Sequence, residues 1–366
     1  MVKRNTLVDG IKGLTILIVI IHHFVLAFCP TIMDGRMWNA LIVNGGPQFF
    51  FASFFSVFYN GLFAVSLFFV ITGYLLSKQV KHHEEDKDYV PRAIASRFFR
   101  LIPIIAPVLL VGYILMSLNL TFNTPVGIYT KSNWFLSFFP LGKVSLWMIV
   151  EDLFTRIPFV TGAWYYNVLW MIPLELYGSW FTYIFASLFQ NSKLKTFMYV
   201  MLCVALFKTN FIQFLFGIML ADYEEKIKVN KFTLFVCFAL SLFLGSLALS
   251  SLQIPNIGIY STQFKAVAAL LFMFSILKSK ILTASIDHRV FVYFGQRSYY
   301  YYLMHSMSLI TVCSYTFLAI KSYMSFTQAM GVAFVVYFVG TVILSEILKL
   351  YEDRFHYMPQ ILKKNS

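Results

Sequence analysis

The stretch KGLTILIVIIHHFVLAFCPT, residues 12–31, decides the class of fold. It carries one formal charge, at Lys12, and is long enough to cross a hydrocarbon core about 30 Å thick as an α-helix. A basic start followed by an apolar run also describes a cleaved signal peptide. However, Phe28 is too large for the position before the cut, and His22 and His23 interrupt the run. The stretch therefore predicts a retained first transmembrane helix.

The composition of the whole chain extends this interpretation beyond the first helix. Of its 366 residues, 59% are hydrophobic and 12% are charged, whereas about a quarter of a typical soluble domain is charged. The aromatic share of 19% suits lipid-facing surfaces and interfacial belts. The net charge of +13 fits basic cytoplasmic loops, so we expect the lipid bilayer, and no nucleic acid, as a partner. The four cysteines have neither metal-ligand nor disulfide spacing, so we expect no bound metal.

Further apolar stretches predict an all-α, polytopic transmembrane helix bundle of about ten spans, with residues 1–366 forming a single membrane domain. The predicted spans are 12–31, 60–77, 101–118, 166–189, 196–208, 211–222, 232–252, 262–279, 298–320 and 327–349. The fifth and sixth are short, and one re-entrant hairpin is the alternative for them. Two more segments are expected at the outer surface: 47–59 as an interfacial helix, and 119–165 as short helices folded back over the membrane.

The distribution of basic residues predicts how the bundle is oriented. Ten spans place both termini on the same side. The loops and span edges on that side hold 22 of the 29 Lys and Arg residues, and the opposite side holds 7. Because cytoplasmic loops carry such an excess, we expect both termini in the cytoplasm and a multi-pass protein of the plasma (cell) membrane.

Three ionisable side chains interrupt the predicted spans. His23 follows Lys12 by eleven residues, a helical rise of about 16 Å, which takes it near the middle of the hydrocarbon core. Glu175 and His305 fall at overlapping depths in the fourth and ninth spans. A carboxylate at that depth must be protonated, paired or open to a water-filled cavity. The three suggest one polar chamber, although a histidine that only bonds a neighbouring helix explains each imidazole about as well.

A basic pair lies where the third span enters the membrane. Arg97 and Arg100 are three residues apart and share a helix face. Such a pair can clamp a phosphorylated ligand through forked hydrogen bonds. Anchoring at the lipid headgroups is an equally good explanation.

Five sequence blocks together resemble the acyltransferase-3 family of integral membrane acyltransferases. In the first block, Asp9-Gly-Ile-Lys12-Gly precedes His23, where the family has Asp-Gly-Leu-Arg-Gly and then a histidine, with ten residues between the arginine and that histidine. The other blocks are LFFVITGYLLS at 67–77, RFFRLIP at 97–103, LWMIPLE at 169–175 and GQRSYYYYLMH at 295–305. Lys12 replaces the family arginine with a point charge. The chain resembles O-acetyltransferase-like members without an appended hydrolase-like domain, so we expect transfer to finish in the membrane domain or on another protein.

The resemblance implies an acyltransferase, most simply an acetyl-CoA-dependent O-acetyltransferase, with no permanently bound cofactor. Acetyl-CoA, or another acyl-CoA, would be the donor on the cytoplasmic side. The acceptor would be a hydroxyl of a surface or capsular polysaccharide or a related glycan. His23 would be the general base or a transient acyl carrier, with Glu175 orienting its ring. The CoA phosphates would be held by Lys12, Arg97 and Arg100. The acceptor would be contacted by His305 and Trp170.

Two other functions explain part of the same pattern. A proton-coupled transporter or exporter would also use buried ionisable residues, as a relay. An acyltransferase acting on a lipid or a small metabolite would share the donor side and differ only in its acceptor. The aromatic residues of 119–165 suit stacking on sugar rings and interfacial anchoring alike. The acyl group, the acceptor and the oligomeric state are left open by the sequence.

Overall fold

The computed structural model describes residues 6–30, 54–138, 145–160, 163–164, 166–246 and 260–364. Every regular element within these ranges is helical, which confirms the all-α prediction. In chain order the helices are α1 (Thr6–Phe28), α2 (Gly61–His82), α3 (Tyr89–Ser117), α4 (Asn123–Thr130), α5 (Asn133–Leu136), α6 (Leu146–Glu151), α7 (Ile157–Phe159), α8 (Met171–Phe189), α9 (Lys195–Ala205), α10 (Phe211–Tyr223), α11 (Lys231–Gly245), α12 (Ser261–Lys278), α13 (Lys280–Ile286), α14 (Arg289–Gln296), α15 (Ser298–Ser308), α16 (Ser314–Ile320) and α17 (Phe326–Lys364). Short segments of other helix types are Phe54–Tyr59, Asp152–Arg156, Asn167–Trp170 and Leu309–Cys313. The predicted interfacial helix 47–59 lies outside the described residues up to 53.

Although residues 247–252 of the seventh predicted span lie outside the described residues, each of the ten predicted spans overlaps a helix. Six of these are long and apolar enough to cross a membrane: Thr6–Phe28, Gly61–His82, Tyr89–Ser117, Ser261–Lys278, Ser298–Ile320 and Phe326–Arg354. The other four predicted spans are helices α8 to α11, with 19, 11, 13 and 15 residues. The described residues therefore form a helical protein with six candidate membrane spans. The count of ten and the cytoplasmic position of both termini stay predictions.

Helices α9 and α10 favour the hairpin alternative for the fifth and sixth spans. At 1.5 Å per residue, 11 and 13 residues rise about 16 and 20 Å, short of a 30 Å core. The two helices pack together through Tyr199, Leu215 and Ile218, and Phe185 of α8 joins this cluster. Near the other end of α10, Asp222 accepts a hydrogen bond from the Tyr199 hydroxyl at 2.5 Å.

Two compact units divide the chain. The first comprises Met1–His22, Thr31–Arg97 and Leu174–Gln296, and the second comprises His23–Pro30, Phe98–Pro173 and Arg297–Ser366. These two units describe how the helices pack, and they do not test the prediction of a single membrane domain.

The first unit is organised around the close approach of α2 and α10. A Cβ atom added at Gly73 would overlap the carbonyl oxygen of Phe214, and one added at Gly217 would overlap that of Val70. Small residues at a helix interface allow this backbone approach, which is a common way to pack helices in membranes. The result is a rigid support for the polar residues on α2.

In the second unit, α4 and α5 are attached to the end of α1. The hydroxyls of Thr130 and Ser132 donate to the carbonyl oxygens of Ala27 and Leu26, at 2.7 and 2.6 Å. These bonds satisfy carbonyls in the last turn of α1 that have no partner further along the helix. Short helices in the segment 119–165 are therefore confirmed, and α4 and α5 lie at the predicted outer end of α1.

The later part of the same segment packs against helices of the second unit. Leu153, Ile157 and Pro158 line one apolar groove, of about 240 Å³, with Phe98, Leu101, Ile102 and Ile105 near the start of the third span. Further on, the Tyr302 hydroxyl donates to the Val168 carbonyl. Ile157 and Pro158 are buried in the groove, whereas Phe154, Phe159 and Val160 are exposed, so only part of this stretch packs against helices. The position of the segment relative to the membrane surface stays a prediction.

Candidate active site

Two histidines that the sequence singled out meet in the second unit. Helix α1 carries His23 and helix α15 carries His305, and their ring centroids are 4.7 Å apart with a tilt of 46°. The Nε2 atom of His305 lies 3.1 Å from the Nδ1 atom of His23. His305 is fully buried, whereas His23 is partly exposed. The arrangement presents one imidazole to a ligand and places the second behind it.

The backbone around His305 determines which nitrogen of each ring carries hydrogen. The Nδ1 atom of His305 lies 3.1 Å from the Tyr301 carbonyl oxygen, which can only accept, so Nδ1 is the protonated nitrogen of the neutral ring. Its Nε2 is then an acceptor, and the Nδ1 of His23 must donate to it. The remaining nitrogen of His23, Nε2, carries the lone pair. A neutral imidazole in this tautomer can accept a proton at Nε2.

Small polar groups complete the surroundings of His305. The Ser306 hydroxyl is 3.1 Å from the Nε2 of His305, and the Tyr302 ring centroid is 6.2 Å from the imidazole. The Tyr166 hydroxyl donates at 2.7 Å to the Leu303 carbonyl, one turn before Ser306. Both ring nitrogens of His305 are thus engaged by the protein. This geometry favours a role toward His23 over the acceptor contact predicted for His305.

Trp134 is a site residue that the sequence did not single out. Its ring lies 5.2 Å from the His23 ring, tilted by 39°, and packs against Phe135 at 5.9 Å and Phe138 at 5.3 Å. Because α5 is tied to the end of α1 through Ser132, Trp134 is held against His23. This contact with His23 gives the tryptophan a position beside the candidate base. Only its occurrence in an aromatic external segment hinted at such a role.

A second polar cluster lies in the first unit and contains the predicted carboxylate. Oε1 of Glu175 accepts from the Thr72 hydroxyl at 2.8 Å, and Nη1 of Arg97 is 3.8 Å away. Lys12 adds a further positive charge that acts on the same carboxylate. The side chains of Arg97 and Glu175 are 35% and 30% exposed, so the pair is accessible. Glu175 is therefore a paired carboxylate, as a charge in a span requires. The position that orients Nδ1 of His23 is taken by His305.

The other basic residues of the third-span entrance differ in availability. Lys78 forms an ion pair with Glu224, and Arg92 forms one with Asp86. Arg100 is exposed, one turn along α3 from Arg97. Trp170, predicted to contact the acceptor, is 37% exposed, in the turn before α8. Among the residues that the structure describes, no group of three or more His, Cys, Asp or Glu side chains is placed to hold a metal ion.

Comparison with known protein families decides the identity of the fold. The acyltransferase-3 family model, described as an acyltransferase domain, matches residues 5–349. This chain belongs to the acyltransferase-3 family. No curated protein and no solved structure shows a significant match.

Membership of the acyltransferase-3 family shows that the protein is a membrane acyltransferase in general terms. The match begins ahead of Lys12 and ends beyond His305, so it includes both polar clusters. In this acyltransferase-3 protein, the paired histidines are the group best suited to move a proton. The cluster of Lys12, Thr72, Arg97 and Glu175, here called the Arg97 cluster, is the group best suited to bind an anion.

Proposed function

We propose that the protein is an O-acyltransferase of the plasma membrane that uses cytoplasmic acyl-CoA, most simply acetyl-CoA. It transfers the acyl group to a hydroxyl of a surface or capsular polysaccharide or a related glycan. The observation that carries this proposal is the His23–His305 pair, in which the partly exposed ring has its basic nitrogen at Nε2. The family match supplies the reaction class, and the donor and acceptor are part of the proposal.

The chemistry follows from the tautomer of His23. Nε2 takes the proton of the acceptor hydroxyl while the oxygen attacks the thioester carbonyl. The new C–O bond forms, the C–S bond breaks, and the thiolate of CoA receives the proton from Nε2. Hydroxyl and thioester thus give ester and free thiol, and His23 returns to its starting state. If His23 carries the acyl group instead, the same nitrogen attacks the thioester, and a labelled acyl-enzyme accumulates when the acceptor is withheld.

The donor side rests on the Arg97 cluster. An arginine presents five N–H donors in a fixed fork, so Arg97 can keep its partner Glu175 and still contact a phosphate. Arg100 is exposed on the same helix, and Lys12 contributes charge near Glu175. Helix α1 is continuous from Lys12 to His23, a rise of about 16 Å, which suits the reach of the pantetheine arm. In this proposal Glu175 orients Arg97 for the donor.

Trp134 and Trp170 supply the acceptor side of the proposal. The Trp134 ring beside His23 is a flat apolar surface on which a sugar ring can stack. A sugar in that position would direct a hydroxyl toward the imidazole. Trp170 is exposed, as a contact with a ligand requires.

The test is release of CoA by the purified protein in lipid nanodiscs, given radiolabelled acetyl-CoA and candidate glycans. His23→Ala should abolish release, and the matched control His22→Asn should retain it, because Nδ1 of His22 faces the Tyr59 carbonyl at 3.0 Å and asparagine can still donate to that carbonyl. Arg97→Ala should raise the KM for acetyl-CoA at least tenfold, with Arg92→Ala as its control. Full activity of His23→Ala would contradict the assignment. Folded wild type that neither binds nor hydrolyses any acyl-CoA would favour a transporter.

A further inference from the structure

His305 is buried, so it can act on the neighbouring side chain of His23 but cannot contact a ligand. Its side chain has no exposed surface, so neither the acyl-CoA nor the acceptor substrate can touch it in this arrangement. One ring nitrogen faces a backbone carbonyl of its own helix, that of Tyr301, and the other faces His23. The carbonyl belongs to the previous turn of α15, so the helix itself holds the ring in this orientation.

We infer that His305 is the positioning residue of the active site, acting as the hydrogen-bond acceptor that keeps the proton of neutral His23 on Nδ1. This inference rests on the proposed function of His23 as base and deepens it. The Tyr301 carbonyl fixes the hydrogen on Nδ1 of His305, which makes Nε2 of His305 an acceptor. The bond of 3.1 Å from Nδ1 of His23 to that acceptor leaves Nε2 of His23 basic. The role corresponds to that of a carboxylate behind a catalytic histidine, here performed by a neutral ring.

A neutral acceptor suits the position better than a second charge would. His305 is buried, and a carboxylate at that place would need further hydrogen bonds or a positive partner to offset its loss of hydration. The imidazole needs only one acceptor, which its own helix provides. When His23 takes the proton of the acceptor hydroxyl at Nε2, the Nδ1–H bond to His305 strengthens, because the donor is now charged. No bond is made or broken at His305 in this step.

The alternative is that the two rings only pack together. In that case a substitution at His305 should change kcat only through the change in side-chain volume. The two explanations differ for asparagine and glutamine, whose side chains differ by one methylene: packing alone predicts similar activities, and positioning predicts a large difference. The amide of glutamine ends where Nε2 of histidine lies, and it offers His23 an acceptor oxygen. The amide of asparagine ends at the Nδ1 position, so it reaches the Tyr301 carbonyl but not His23.

The experiment compares His305→Gln with His305→Asn by steady-state kinetics of CoA release in nanodiscs. His305→Gln should keep kcat within about tenfold of wild type, and His305→Asn should lose at least about 100-fold, as a mispositioned general base does. The KM for acetyl-CoA should not change in either variant. Addition of His305→Glu, whose carboxylate can only accept, should also retain kcat above the asparagine level, which removes the ambiguity of amide orientation.

Equal activities of the glutamine and asparagine variants would overturn the inference, whether both are active or both are dead while still binding acetyl-CoA. Binding of radiolabelled acetyl-CoA measures the folded fraction, so a variant that fails to fold is recognised, and the comparison then uses His305→Glu against His305→Leu. Failure of the proposed function is distinguishable, because it appears as full activity of His23→Ala. If His23→Ala is inactive and all His305 variants behave alike, only the positioning role is lost.

Discussion

Replacing Lys265 with methionine should destabilise the first unit, because this lysine caps a helix from inside the protein. Lys265 is 4% exposed, and its ammonium donates to the carbonyl oxygens of Leu244 at 2.9 Å and Ser246 at 2.6 Å. These groups lie at the end of α11, where carbonyls have no partner within the helix. The positive charge also lies at the negative end of the helix dipole. The methionine variant keeps most of the side-chain volume and loses both bonds.

The size of the effect follows from the two carbonyls. Each buried acceptor left without a donor costs about 1–3 kcal/mol, so two cost about 2–6 kcal/mol. Methionine avoids the cost of dehydrating an ammonium group. In addition, Asn60 still donates to the Gly245 carbonyl at 2.9 Å, which keeps part of the cap. We therefore expect a loss of about 2–3 kcal/mol in the free energy of unfolding.

The assay is denaturant titration of purified protein in mixed micelles, followed by tryptophan fluorescence and circular dichroism. The control is Lys280→Met, at the exposed start of α13, which should change the unfolding free energy by less than about 0.5 kcal/mol. Turnover per folded molecule should be unchanged in both variants. A Lys265→Met protein as stable as wild type, or as stable as the control, would refute the capping argument.

Three further predictions test the packing and the two polar clusters. Trp134→Ala should lower kcat about 10- to 100-fold, since a misplaced catalytic group reacts more slowly. Trp134→Phe should keep most of the wild-type kcat. Unchanged kinetics in both variants would remove Trp134 from the site. Gly217→Ala should destabilise the protein in thermal unfolding, because the new methyl overlaps the backbone of α2. The control Gly331→Ala has open space around it and should be neutral or stabilising by up to about 1 kcal/mol. Equal shifts of the two unfolding temperatures would contradict the close approach of α2 and α10. Glu175→Gln should raise the KM for acetyl-CoA several-fold and leave kcat nearly unchanged if Glu175 serves Arg97; a loss confined to kcat would return Glu175 to the orientation of His23.

The segment 119–165 illustrates where sequence reasoning reached its limit. Its apolar and aromatic content correctly indicated short helices in contact with the membrane domain. The same content does not encode which helices the segment contacts, because an apolar side chain packs equally well against many apolar surfaces. The contacts of Leu153 with α3 and of Val168 with Tyr302 decide which helices it packs against, and they join residues more than 40 positions apart.

The sequence by itself indicated a membrane protein of the helical class, its family and most of the candidate site residues. Apolar length, the cost of a charge in lipid and the order of five blocks all act along the chain, so they can be recognised without coordinates. Only the tertiary structure decided how those residues pair. His23 and His305 are 282 positions apart, and which nitrogen of each ring carries hydrogen depends on a carbonyl one turn before His305. Hydrogen bonds are short-ranged and directional, so the partners of His23, and likewise those of Glu175, follow from the packing of helices and not from their spacing in the sequence.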